Sequence, residues 1–163
     1  MKKNSGFTII ELLVVISIMV LFIGATLAQY NNYTQQLKLK NEAKKLVDVI
    51  ELAKKKALTS DLQDKNCISF TGYRITTSAG AYSLLFGCNA VYTLIQNYNL
   101  STNITITASG RGNFDFPPLM QNINFNINSI QIKNTGINGN NQCVTISVSP
   151  IGIVDLNETL INC

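Results

Sequence analysis

The feature that most constrains this chain is an apolar run of membrane length with a single acid inside it. Glu11 is the only charged residue between positions 7 and 28. Such a run forms a helix, because in an apolar medium the backbone polar groups must be satisfied within the segment. A carboxylate at membrane depth costs about 2.5–3.5 kcal/mol on insertion scales, so it calls for a partner or a role. Lys2 and Lys3 precede the run and orient its start towards the cytoplasm. No second long apolar run follows, which excludes a polytopic membrane protein, and a hydrophobic content of 46% excludes disorder.

Helical character continues past the run. Residues 31–60 lack Gly and Pro and are rich in strong helix formers. Leu39, Ala43, Leu46, Ile50, Ala53 and Ala57 recur at alternating steps of four and three, which places them on one helical face. Lysines 40, 44, 45, 54, 55 and 56 and Glu51 cover the other faces. The spacing predicts one helix from Phe7 to about Ser60, roughly 80 Å long at 1.5 Å per residue. Its first half would sit in the membrane, its second half would pack its stripe on a body, and Gly24 is its only weak point.

The charge distribution is as informative as the total. Beyond residue 65, Arg74, Arg111 and Lys133 balance Asp115, Asp155 and Glu158, so the net charge of +4 belongs to the first part of the chain. The remainder is a neutral body whose polarity comes largely from asparagine, with no electrostatic footprint for nucleic acid. Histidine is absent. That removes imidazole acid–base chemistry, Ser-His and Cys-His nucleophiles and most zinc sites, and no other constellation supports catalysis. The paired acids Asp61/Asp64 and Asp155/Glu158 read as solvated loop residues, so no metal and no cofactor is expected.

All four cysteines lie in the neutral body. Four cysteines allow three connectivities. Cys67 and Cys88 bracket a run centred on the turn-like Thr77-Ser78-Ala79-Gly80, and Cys143 and Cys163 bracket one centred on Pro150-Ile151-Gly152. Residues equidistant from a hairpin turn face each other, which favours Cys67–Cys88 and Cys143–Cys163. Four free buried thiols are the alternative. A metal site is disfavoured by the absence of CxxC spacing. Even-numbered cysteines behind an apolar N-terminal segment indicate an oxidising, extracytoplasmic compartment.

Beyond Cys67 the periodicity changes from 3.6 to 2. The stretch 122–128 alternates Asn with apolar residues without a fault, and Ile130 and Ile132 continue in the opposite phase, which predicts a bulge or turn at Asn128-Ser129. Further strands are expected at 68–76, 82–86, 91–96, 104–108, 144–149 and 151–156, separated by Ser109-Gly110-Arg111-Gly112, Pro117-Pro118 and Asn138-Gly139. The fold class is therefore α+β: a long N-terminal helix packed on an antiparallel sheet or sandwich head. The expected organisation is a leader at 1–6, a transmembrane helix at 7–29, to which the resemblance given next adds a role in assembly, its amphipathic continuation at 30–62 and a β-rich head at 63–163.

The start of the chain resembles the type IV prepilin signature: a short basic leader, Gly6, Phe7-Thr8 and Glu11-Leu12. The resemblance implies a pilin-like fold, cleavage by a prepilin peptidase between Gly6 and Phe7, and N-methylation of Phe7. It also implies that Glu11 pairs with the N-terminus of a neighbouring subunit during assembly. Many pilins carry a proline in the first half of the helix; this chain has none. Residues 46–58 and 144–152 resemble the H-type minor pseudopilins of type II secretion and the FimT minor pilins, with Lys54 where those proteins carry an arginine. The implied function is a minor pilin or pseudopilin, held as a single-pass protein in the cytoplasmic membrane with its head outside. Its implied partners are a major pilin or pseudopilin, other minor pilins and an inner-membrane assembly platform.

Other readings compete with this one. FimT-type pilins that bind DNA carry arginines after the last glycine, but here Gly152 is followed by Ile153-Val154-Asp155, which disfavours DNA uptake. Arg111 between two glycines reads as a solvated turn. An adhesive pilus-tip module would share the signature and need a ligand surface, yet the aromatics form no evident platform. General signal-peptidase cleavage after Ala28 would give a secreted protein starting at Gln29 and leave Glu11 without a role. An enzyme anchored by the helix is the least favoured reading.

Overall fold

The computed structural model describes residues 8–62, 66–120, 129–149 and 152–163. One helix, α1 (Ile9–Leu58), is followed by eight strands among the described residues. The chain divides into two compact units, Met1–Thr34 and Gln35–Cys163.

Both ends of α1 follow from local chemistry. At the start, the Thr8 hydroxyl accepts a hydrogen bond from the Glu11 amide at 3.3 Å, satisfying one of the amides that a helix leaves open. Thr8-Ile9-Ile10-Glu11 is a capping-box sequence, and Glu11 lies in the first turn, where the helix dipole favours an acid. The helix runs without interruption through Gly24. At its end, Ser60 takes a left-handed conformation at φ 49°. The Asp61 amide donates to Lys56 O at 3.0 Å and the Ser60 amide to Ala57 O at 3.2 Å. This is a Schellman termination with serine at the position that usually takes glycine. Lys56 and Asp61 then pair at 2.6 Å, and the buried Tyr73 hydroxyl donates to Asp61 O at 2.6 Å, fixing the helix end to the first strand.

The body is built from two four-stranded antiparallel sheets. The first contains β1 (Phe70–Thr77), β2 (Ala81–Cys88), β3 (Val91–Asn99) and β5 (Gly112–Phe116), in the order β3-β2-β1-β5. The second contains β4 (Ile104–Ile106), β6 (Ser129–Asn134), β7 (Asn141–Val148) and β8 (Val154–Asn162), in the order β4-β6-β7-β8. The apolar stripe read from the helix is wholly buried: Leu39, Ala43, Leu46, Ile50, Ala53 and Ala57 are each 0% exposed. These six residues share one core with Tyr73, Ile75, Phe86 and Phe114 of the first sheet and with Ile130, Ile132 and Ile146 of the second.

Three polar devices secure this arrangement. Buried Asn134 donates through Nδ2 to Gln35 O at 2.9 Å, while its Oδ1 accepts from the Gly136 amide at 2.8 Å. Buried Glu42 accepts from Ser101 Oγ at 2.7 Å and Lys45 Nζ at 3.0 Å, which compensates its desolvation. Arg74 and Asp115 pair bidentately across β1 and β5, with 2.9 Å between Nη2 and Oδ2, and the guanidinium stacks 3.7 Å from the Tyr92 ring centroid. Glycine is required at Gly72: φ is 115°, and a Cβ there would lie 2.2 Å from Phe116 O. This position forms the bulge at the start of the β1–β2 pairing.

Both hairpin disulfides are formed. Cys67–Cys88 closes β1–β2 and Cys143–Cys163 closes β7–β8, with Cα separations of 5.8 and 5.4 Å. Strand boundaries depart from expectation in several places: β3 runs three residues past its expected end and β7 begins three residues before its expected start. β5 was not expected: it begins at Gly112, read as the end of a turn, and its remaining residues lie between that turn and Pro117. The stretch expected at 104–108 ends at Ile106 and gives way to a 3₁₀ turn at Ala108–Gly110. β8 begins at Val154 and continues to Asn162, beyond the expected end at residue 156. A register shift between Cys143 and Thr145 places Glu158-Thr159-Leu160 opposite Val144, so Asp155 and Glu158, read as loop residues, lie within a strand. The alternating stretch 122–128 lies outside the described residues.

Candidate functional site

The segment that carries the sequence signature is the first half of α1. Every side chain from Thr8 to Gly24 is exposed, including Ile9 at 86%, Leu21 at 75% and Phe22 at 70%. The exposure is not confined to one face, as it would be for a helix lying on a body. The consecutive residues Leu12, Leu13, Val14 and Val15 point in four directions around the axis, and all are open. Among the described residues α1 is the one helix long and apolar enough to cross a membrane, with a mean hydropathy of 2.6 over its most apolar stretch. An apolar surface this continuous requires a cover, from lipid or from other helices.

Polar groups inside this segment are locally satisfied. Ser17 Oγ donates to Leu13 O at 2.8 Å, back-bonding within the helix instead of seeking an outside partner. Thr34 Oγ1 does the same, to the carbonyls of Tyr30 and Asn31 at 2.5 and 3.1 Å. Glu11 differs. Its amide is engaged by the Thr8 cap, but its side chain is exposed, and among the described residues no ion pair engages its carboxylate. The segment thus presents one fixed acid at the rim of an apolar cylinder. Gly6 and Phe7, the expected cleavage and methylation positions, lie outside the described residues.

The body groups its polar side chains into pairs. Glu158 pairs with Lys44 at 2.9 Å, which holds its carboxyl below the usual range. Tyr73 and Tyr82 are pushed up to about 12, in both cases chiefly by burial, with Asp61 adding to the first and Glu42 to the second. Arg111 donates through Nε to Ile106 O at 3.1 Å, so the lone turn arginine is tied to its own backbone. At the β7–β8 turn Gly152 has φ 76° and Ile153 is exposed, with Asp155 opposite Ser147. Among the described residues no group of three or more His, Cys, Asp or Glu side chains converges.

Two features of the segment were not read from the sequence. The capping box at Thr8 was legible in the Thr-x-x-Glu spacing. The exposed pair Tyr30 and Tyr33, at 67% and 64%, was not, because two tyrosines in a polar helical stretch carry no periodic signal.

Residues 1–27 match the family model of the prokaryotic N-terminal methylation motif. Neither the curated proteins nor the solved structures give a match to this chain. The motif is that of type IV pilin and pseudopilin precursors. It implies processing by a prepilin peptidase, membrane anchoring and assembly with other pilins. It coincides with the fully exposed apolar stretch of α1 and stands ahead of antiparallel sheets, in an α+β, pilin-like architecture.

Proposed function

We propose that this chain is a minor pilin or pseudopilin, a structural subunit of a type IV pilus or of a type II secretion pseudopilus. The observation that carries the reading is the coincidence of the methylation motif with an apolar helix exposed on all sides and an acid fixed in its first turn. A prepilin peptidase cuts between Gly6 and Phe7 and methylates the Phe7 amine. The subunit waits in the cytoplasmic membrane as a single-pass protein with its disulfide-bonded body outside. An inner-membrane assembly platform then draws it into a filament, where the helices of other pilins replace lipid around Ile9–Ile23. Glu11 pairs with the N-terminal ammonium of a neighbour. In an apolar interior each charge is costly alone, so the pair sets register and partner choice more than net stability.

This function is assembly, not catalysis. The neutral body disfavours a nucleic-acid role, and cations are missing where DNA-binding relatives of the FimT type carry them. The similarity of residues 46–58 and 144–152 to the H-type pseudopilins and FimT supports a minor rather than a major subunit.

Mass spectrometry of the unreduced protein from its native membrane tests the reading. A mature chain starting at N-methylated Phe7, lighter by two hydrogens for each of the two disulfides, is the expected result. A chain starting at Gln29 would identify a freely secreted protein and remove the assembly role.

A further inference from the structure

The exposed pair Tyr30 and Tyr33 stands three residues apart on one side of α1, immediately after the apolar run ends at Ala28. Tyrosine has an apolar ring and a polar tip, and it concentrates where hydrocarbon meets headgroups. Gln29, Asn31 and Asn32 flank the pair, so the chemistry turns polar at this point in the helix. Glu11 lies 19 residues earlier on the same uninterrupted helix, which at 1.5 Å per residue is about 28 Å. The hydrocarbon core of a bilayer is about 30 Å thick. Residues 12–28, which contain no charge, sit at the short end of the roughly 17–25 residues that a spanning helix uses.

We infer that Tyr30 and Tyr33 are the outer-leaflet interfacial anchor of the membrane-held subunit, and that by fixing the depth of α1 they hold Glu11 at the headgroup level of the inner leaflet. The partner is the glycerol and headgroup layer of a phospholipid bilayer. The span has no slack: drawing Glu11 towards the centre would carry both tyrosines out of the interfacial layer into water, and drawing it the other way would pull them and the adjoining amides into hydrocarbon. Before assembly Glu11 therefore does not bear the cost of mid-membrane burial, and the Thr8 cap beside it remains reachable by water. In the sequence Phe7 precedes Glu11 by four positions, on the side that Lys2 and Lys3 orient towards the cytoplasm, where a peptidase would meet the bond after Gly6. This inference rests on the membrane-anchored state in the proposed function. It adds the depth of that state and the residues that set it.

The chain contains no tryptophan, so single Tyr→Trp variants report without background. The full chain is placed in phosphatidylcholine/phosphatidylglycerol vesicles brominated either near the headgroup or deep in the acyl chain. Tyr30→Trp and Tyr33→Trp are expected to be quenched about twofold more by the shallow bromines, and Val20→Trp about twofold more by the deep ones. In a Tyr30→Ala/Tyr33→Ala background the Val20→Trp reporter should lose that deep preference. An Ile10→Cys variant should react with a water-soluble maleimide supplied at the cytoplasmic face, while Val20→Cys should not. Tryptophans at 30 and 33 that are unquenched, or quenched most by deep bromines, would overturn the anchor. An unchanged Val20→Trp profile without the tyrosines would overturn their role in setting depth, and an Ile10→Cys as shielded as Val20→Cys would overturn the placement of Glu11. Each of these results is independent of whether the chain is cut after Gly6, so a failed anchor and a failed pilin reading remain distinguishable.

Discussion

The two halves of α1 are both apolar, yet they meet opposite surroundings. From Leu39 to Ala57 six apolar residues at alternating steps of four and three are each 0% exposed, and lysines occupy the remaining faces. From Ile9 to Ile23 the apolar residues are distributed around the whole helix, and every one is open. A stripe needs one partner, and the body supplies it within the same chain. A cylinder needs cover on every side, which one folded body cannot give. Lipid can, and so can several neighbouring helices. Sidedness rather than hydrophobicity thus separates the half that folds from the half that assembles.

The strongest test of this contrast substitutes one residue in each half. Glu11→Ala should reduce incorporation into filaments by about an order of magnitude or more, because it strips the partner from a buried ammonium. It should leave the unfolding of the body unchanged. Leu46→Ala should do the reverse, lowering body stability by about 2–5 kcal/mol through the cavity it leaves in the core. Filament immunoblots and chemical denaturation of the detergent-solubilised chain read the two effects. Normal incorporation of Glu11→Ala would break the assigned role, and an unchanged midpoint for Leu46→Ala would break the other side.

Next in size are the disulfides. Each closes a loop of about twenty residues, which in the chain-entropy model is worth about 3 kcal/mol. Replacing Cys67 and Cys88 by alanine should lower the unfolding free energy of the body by that amount, and reductant, which opens both bridges, by about twice as much. Membrane insertion of the apolar half should be unaffected. A body equally stable in reductant would show that the packed core alone is sufficient.

What was legible in the sequence divides along physical lines. Both the stripe and the hairpins express local periodicity, so spacing alone located Leu39 to Ala57 and paired Cys67 with Cys88 and Cys143 with Cys163. Features made by distant residues were not legible. Asn134 meets Gln35 across 99 positions, and Arg74 meets Asp115 across 41, and neither contact leaves a trace in local pattern. β5 was hidden because glycine and proline at its edges mark a turn more strongly than five residues mark a strand. In the membrane segment Glu11 stood out because it breaks a pattern. Tyr30 and Tyr33 break none, and their meaning depends on where the span begins and ends.

The body should also be the half that responds to alkali. Tyr73 and Tyr82 hold their protons to about pH 12, chiefly through burial, whereas an unfolded chain releases them near pH 10. Between these values the folded state carries more protons than the unfolded one, so stability falls as pH rises through the window. Below pH 10 both states are protonated and this contribution is fully present. Urea midpoints taken at rising pH should decline only once the unfolded tyrosines begin to ionise. Tyr82→Phe should flatten that decline, and an unaltered slope in this variant would remove Tyr82 as a cause.

The smallest effect concerns the point where the buried half ends. Ser60 closes α1 in the left-handed region at φ 49°, where a side chain costs about 1 kcal/mol that glycine does not incur. Ser60→Gly should therefore stabilise the body by about 0.5–1 kcal/mol, because the hydrogen bonds from Asp61 to Lys56 and from Ser60 to Ala57 involve only backbone. The greater freedom of glycine in the unfolded chain opposes part of this gain, so a value above that range would show strain beyond the single dihedral. A loss of stability would mean that the serine side chain supports the termination. Gly24→Ala supplies the contrast in the other half. A Cβ there meets nothing within 4 Å, so the change should raise helix propensity and leave the denaturation midpoint of the body where it was. A shift in that midpoint would show the two halves of α1 to be energetically coupled through the helix itself.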